Sequence, residues 1–328
     1  MKKRFIRTWA QWEGYETLQK HKKTKNKKVL ILGIDALDFD LVEEWNLKNL
    51  KQEEYGKTIV PITDGLEEPA TVIVWPCFIT GKEPKDMGFD TPVIYRQPFK
   101  WFFDTIYVPT TSSFADLHPE DIVEKRDKKR IFLDKISSIF KKGGIYYQPS
   151  RANIKAPTLF DDESLKTAHF HIPVYDKDVF PEYRKSIVDV ITKEMPGSEF
   201  SKACKKSFNM RCEELLNYLK QNNEWDIVMM YWFCLDAVQH AFFKNKLKIM
   251  DFYLMFNEFV GNLKKTLTKD ILILIISDHG QKKGIHTDKG FYSCNKKLGL
   301  ENPKITDFKE IIEKELKKQE IAITAAKT

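Results

Sequence analysis

Cysteine is scarce and unpaired in this chain: five among 328 residues, none at a paired spacing. That excludes a disulfide-stapled scaffold, and free thiols point to a reducing, cytoplasmic compartment. Long apolar runs are lacking as well. Behind the basic opening MKKRFIRTWAQWEGY no continuous hydrophobic segment follows, so neither a signal peptide nor a transmembrane segment is read. Low-complexity tracts and internal repeats are also missing, which excludes a solenoid or a linker protein. What remains is ample for a core, with 42% hydrophobic residues. The net charge of +7 lies visibly in the first residues, from Lys2 through Lys28. Such a tail has the charge to contact nucleic acid or an anionic membrane surface, but a solvated extension is the favoured reading.

The most informative stretch is ILILIISDHG, Ile271 to Gly280, where a wholly apolar run ends abruptly in Asp278 and His279. Such a run reads as a strand buried on both faces, as in the middle of a parallel sheet. The arrangement recurs twice. Lys28 is followed by VLILGIDALDFD, which delivers Asp35, and Trp225 by DIVMMYWFCLDAVQH, which leads to Asp236 and His240. Asp38 and Asp40 read as cap or turn residues. Asp236 and His240, four apart, share one face of a helical turn, as a metal-chelating pair does. His286 follows in the glycine-rich loop GQKKGIHTDKG. In open α/β sheets ligands bind at the carboxyl ends of strands, and unpaired charges there need compensation. Three carboxylates (Asp35, Asp236, Asp278) and three imidazoles (His240, His279, His286) suffice for two adjacent divalent cations. Mixed His/Asp ligation suits zinc best, with manganese as the alternative.

A nucleophile is offered by EEPATVIVWPCFITGKEP, Glu67 to Pro84, which reads as a helix ending near Gly81 with Thr71 just ahead of it. There, backbone N–H groups and the helix dipole favour a phosphoryl oxyanion. The segment alone leaves two readings of Thr71 even, a nucleophile or a plain helix cap. Pro76 places the start of regular helix near Val74.

In order and spacing these motifs resemble the alkaline phosphatase superfamily, and within it the type I phosphodiesterase/nucleotide pyrophosphatase family. The resemblance rests on LGIDALD with Asp35, on Thr71 nine residues before Thr80-Gly81, on Asp236-x-x-x-His240, on Ser277-Asp278-His279-Gly280 and on the late His286. It runs from about Val29 to about Phe308 with a poorly matching middle. It implies an α/β fold, a mostly parallel central sheet flanked by helices on both faces, with an inserted cap. It further implies that Asp35, Thr71, Asp278 and His279 hold the cation that activates the nucleophile. Asp236, His240 and His286 would hold the second. The implied reaction is hydrolysis of a small phosphate ester or nucleotide through a covalent phosphothreonine.

The chain departs from that family in KDMGFDTPV, with Met87 where relatives carry a His and Asp90, Thr91 and Pro92 where an Asn is expected. A phosphate-binding donor is therefore missing or supplied from elsewhere. This keeps a second outcome open, a phosphomonoesterase, phosphotransferase or phosphonate hydrolase. A non-catalytic, metal-containing binding protein is the third reading. Trp75 is a candidate for stacking on substrate, with helix packing the favoured alternative.

The domain layout expected is a basic extension over residues 1–27 and a single catalytic α/β domain over 28–328, carrying a cap or lid over about 91–200. Within that lid Tyr146, Tyr147, Arg151 and Asn153 are candidates to reach the leaving group, against the alternative that they form the lid's own core and surface. His169 and His171 suggest no third metal. Helical spacing predicts flanking helices over Phe208–Gln221, Lys248–Thr266 and Ile305–Lys318.

Overall fold

The computed structural model describes residues 27–63, 66–92, 94–95, 146–177 and 179–325. The basic extension through residue 26, and the aromatic and basic stretch over 96–145, lie outside the described residues.

Six strands form the central sheet: β1 (Val29–Ile34), β2 (Glu54–Ile59), β3 (Thr167–Phe170), β4 (Ile227–Trp232), β5 (Leu272–Ser277) and β6 (Lys289–Cys294). Their spatial order is β2-β6-β5-β1-β4-β3. The four neighbours β5, β1, β4 and β3 run parallel, while β6 runs antiparallel to both β5 and β2. The sheet is thus mostly parallel and flanked by helices, as expected for this α/β class. β1, β4 and β5 are buried along their whole length, which explains their unbroken apolar sequences. Each fully buried Val, Leu or Ile there contributes about 1.5–3 kcal/mol.

β1 lies between β4 and β5, so the carboxyl ends of three parallel strands meet at one edge. In register, Ile34 faces Trp232 and Gly33 faces Ile276. Asp35, the loop to Asp236, and Asp278 leave the sheet together there. Gly33 is required: a Cβ at that position would stand 2.8 Å from Cη2 of Trp75. That contact seats helix α1 (Thr71–Thr80) against the strand.

α1 starts earlier than Pro76 suggested. Ile73 and Val74 both donate to the Ala70 carbonyl, at 2.8 and 2.9 Å, and close the first turn on Thr71. Pro76 sits inside the helix, where it removes one hydrogen bond, the one Val72 would otherwise accept. The helix ends at Gly81, whose φ of +65° is the left-handed region glycine favours.

Further helices complete the frame, the long α2 (Gly197–Gln221), the short α3 (Cys234–Ala241), the long α4 (Lys246–Thr266) and α5 (Asp307–Ala325). α2 begins eleven residues before the Phe208 read from sequence, because its first half buries only Phe200 and Cys204 before Phe208. Within the segment 91–200, β3 pairs in register with β4, Thr167 against Ile227 through Phe170 against Met230. A four-residue, half-buried edge strand leaves no apolar run to recognise. Among the described residues no helix is long and apolar enough to cross a membrane.

Candidate metal centre and nucleophile

His279, at the end of β5, organises one half of the site. Its Nδ1 lies 3.1 Å from the Gly280 carbonyl. A carbonyl only accepts, so Nδ1 carries the proton and Nε2 presents a lone pair. That lone pair faces Asp35 Oδ1, Asp278 Oδ2 and Thr71 Oγ1, each at 3.4 Å. Asp35 Oδ1 and Asp278 Oδ2 are buried and accept no hydrogen bond. Acceptor atoms of two carboxylates and an imidazole thus converge, and the donor that meets them is the Thr71 hydroxyl, on the imidazole nitrogen. Burial of such atoms is strongly unfavourable unless a cation joins them.

The other half repeats the logic. His286 Nδ1 lies 3.1 Å from the Pro69 carbonyl, so its Nε2 is again turned inward. It stands 3.0 Å from His240 Nε2 and 3.5 Å from Asp236 Oδ1, which is itself 3.2 Å from His240 Nε2. Neither oxygen of Asp236 accepts a hydrogen bond. Two groups of buried ligand atoms can hold a metal, Asp236/His240/His286 and Asp35/Asp236/His279, with the atoms of each group within 4.8 Å of one another. Asp236 belongs to both, so the two centres adjoin. Carboxylates and imidazoles are donors that suit a divalent metal.

The electrostatics show what the site lacks. Burial, then the neighbouring Asp278 and Asp236 charges, push the Asp35 carboxyl well above its usual range. Burial and Asp236 push Asp278 up to about 6. Burial pushes Asp236 the same way, but His240 and His286 outweigh it and hold it well below the usual carboxylate value. Burial, then the neighbouring His286, depress His279 far below its ordinary value and keep its ring neutral.

Thr71 is the first residue of α1, half-buried, with its hydroxyl turned toward His279. The structure thus brings together Asp35, Thr71, Asp236, His240, Asp278, His279 and His286. It does not bring Trp75 to a surface: the ring is fully buried under Gly33, edge-on to Tyr231 at 5.3 Å, with no face left for a substrate. Arg151 is exposed, lies over the Tyr175 ring at 4.3 Å and meets Asp161 at 3.5 Å. Asn153 Oδ1 accepts from the Ser150 N–H at 2.9 Å. Tyr147 pairs through its backbone with Ile94, and its side chain, like that of Tyr146, lies outside the described residues. His169 and His171 have separate partners, Asp176 and Glu214. Asp38 caps the helix Phe39–Glu44, whereas Asp40 lies in its first turn and pairs with Lys57.

Several supporting residues gave no signal in the sequence. The Tyr231 hydroxyl donates to Asp35 Oδ2, yet Tyr231 reads as one more core residue of an apolar strand. The Ala36 N–H donates to Asp278 Oδ1 at 3.4 Å, and the Ala36 carbonyl accepts from Gln239 Nε2 at 2.6 Å. Glu68 Oε2 accepts from the His286 N–H at 2.7 Å. The one available cue was Gln239, a polar residue between two ligands.

No curated protein matches the chain. Two solved structures of murine ectonucleotide pyrophosphatase / phosphodiesterase 5, one of them an inactive threonine-to-alanine variant in complex with AMP, are similar at 11% identity and a TM-score of 0.39. Each comparison covers 77% of this chain and 57% of that one, so the chain spans little more than half the length of those proteins. The sequence model of type I phosphodiesterase / nucleotide pyrophosphatase matches residues 29–319, which takes in every ligand and Thr71, and the chain belongs to that family.

Proposed function

We propose that the chain is a metal-dependent hydrolase of phosphate diesters and nucleotides that works through a covalent phosphothreonine on Thr71. The observation that carries the reading is the ring of bare acceptors around His279 Nε2, with a threonine hydroxyl at 3.4 Å on the same side. Asp35, Asp278, His279 and Thr71 would hold one cation, and Asp236, His240 and His286 the other. Bound there, two divalent ions, zinc by donor type with manganese as the alternative, supply the positive charge that favours an alkoxide at Thr71 and offsets charge on the phosphoryl oxygens.

The chain's own residues do the rest. The N–H groups of Thr71 and Val72 precede the first helical hydrogen bond of α1, which Ile73 makes to Ala70, and stand where they stabilise an equatorial phosphoryl oxygen. The Oγ1–P bond forms as the ester O–P bond breaks in line, and the leaving alcohol or nucleotide takes up a proton. Water then attacks phosphorus from the opposite side, the P–Oγ1 bond breaks, and Thr71 regains its proton. Two inversions give net retention. His279 cannot act as the general acid, because its one proton is committed to the Gly280 carbonyl.

The departure at Met87 keeps a second outcome in play. Met87 is fully buried, so the position where relatives carry a polar residue contributes packing instead. Turnover of bis-p-nitrophenyl phosphate against p-nitrophenyl phosphate, with zinc and with manganese, decides between them. A diester preference supports the proposal, a monoester preference assigns the site to a phosphomonoesterase, phosphotransferase or phosphonate hydrolase, and binding of metal without turnover of either would leave a binding protein. Thr71→Ala should abolish turnover with metal content intact; an active variant would remove Thr71 from the mechanism. Five free, buried cysteines support a reducing, cytoplasmic setting.

A further inference from the structure

The oxygens of the ligand carboxylates are not equivalent. Asp35 Oδ2 accepts the Tyr231 hydroxyl while its Oδ1 is bare and faces His279 Nε2. Asp278 Oδ1 accepts the Ala36 N–H while its Oδ2 is bare and faces the same nitrogen. Asp236 differs, since both of its oxygens are bare. Protein donors therefore sort the oxygens of Asp35 and Asp278 and leave those of Asp236, which borders both centres, unsorted.

Tyr231 is held where it is. It is fully buried, its backbone pairs with Gly33 on β1, its carbonyl accepts from Arg211 Nη1 at 2.7 Å, and the Trp75 ring stands edge-on against it at 5.3 Å. A buried hydroxyl needs an acceptor, and Asp35 Oδ2 is the one it uses here. Resting on the two-cation reading above, we propose that Tyr231 is a positioning residue that limits Asp35 to ligation through Oδ1 alone, and so makes the Thr71 centre selective for a cation of low coordination number. Zinc is content with four ligands at short distances. Larger, oxygen-seeking cations fill six to eight positions and draw on bidentate carboxylates. A carboxylate with one oxygen committed to a phenol has only one to give. The Asp236 centre carries no such restriction and accepts either binding mode, so the two centres differ in metal preference.

The test is metal titration of the metal-stripped full-length protein with Zn2+ and with Mn2+ under chelator competition, comparing wild type with Tyr231→Phe. Loss of an outer hydrogen bond to a ligand costs about 10- to 100-fold in metal affinity. Zinc affinity should fall by that factor at one site only, and manganese affinity should fall less there, so that the preference for zinc narrows at that site. An unchanged zinc-to-manganese preference at both sites, or an equal loss at both, overturns the proposal. If wild type itself binds neither ion, the two-cation reading fails before Tyr231 is touched, and the two failures are thus told apart. Should Tyr231→Phe not fold, a crystal structure of zinc-loaded wild type decides: Asp35 bound through Oδ1 with Tyr231 still on Oδ2 supports the assignment, and a bidentate Asp35 overturns it.

Discussion

Replacing Asp278 by Asn should strengthen the metal-free protein and weaken the metal-loaded one. Asp278 is fully buried, and burial together with the Asp236 charge raises its carboxyl from 3.8 to about 6. That gap is about two pKa units, or about 3 kcal/mol for burying the ionised form. The sign follows from the protons. Between 3.8 and about 6 the folded chain still holds a proton that the unfolded chain has lost, so stability of the metal-free protein falls as pH climbs through that window. Above it the full penalty applies; below it there is none. Asn carries no charge, still accepts from the Ala36 N–H, and escapes the penalty. Urea denaturation of chelator-treated protein at pH 8 should therefore show the variant more stable by at most about 3 kcal/mol, with the difference vanishing toward pH 4. With saturating zinc the order should reverse, because the variant offers a poorer ligand where wild type offers an anion. A metal-free wild type that is as stable as the variant at pH 8 would refute the reasoning, since the bare carboxylate would then carry no cost.

Gly280→Ala should lower turnover by about 100-fold, the scale of a catalytic group displaced by ~1 Å. A Cβ there would stand 2.3 Å from Asp38 Oδ2 and 2.7 Å from Thr287 Oγ1, and because Asp38 is held by the Leu41 and Gln281 N–H groups the prediction is that the loop carrying His279 shifts. Steady-state kinetics with parallel metal analysis checks it, and an unimpaired variant would show that the loop yields without cost. Trp75→Ala should destabilise by about 3–5 kcal/mol, as buried aromatics do, while the KM of protein that remains folded stays unchanged. A raised KM with intact stability would instead make Trp75 a substrate contact.

What could be read in the sequence follows from burial. β1, β4 and β5 are covered on both faces, so nothing but apolar residues fills them, and a charged residue at their end stands out. Asp35, Asp236, His240, Asp278 and His279 lie at those ends or within about two helical turns of them, which is why these candidate ligands stand out in the sequence. β2 and β3 sit at the sheet edges with mixed exposure, and the sequence TAHF of β3 resembles any polar loop. The residues that orient the ligands were the least legible, because a strand tyrosine and a backbone N–H look the same whether or not they meet a carboxylate. Pro76 misled in the other direction: the first turn of α1 is closed by the Ala70 carbonyl and depends on no N–H from position 76.

Ligand geometry and fold stability are bound together at this sheet edge. Every group that orients a ligand is itself part of the frame or adjacent to a ligand in sequence. Tyr231 is the last residue but one of β4, Ala36 follows Asp35, Gly280 follows His279, and Pro69 leads into α1. Ala36 adopts a φ of +56°, unfavourable for a residue with a Cβ. It is held there by its N–H to Asp278 and by Gln239 on its carbonyl, at 3.4 and 2.6 Å. Gln239 lies between Asp236 and His240 on α3, and its Oε1 accepts from the Tyr253 hydroxyl of α4 at 3.2 Å. One side chain thus links the ends of β1 and β4, and through Ala36 that of β5.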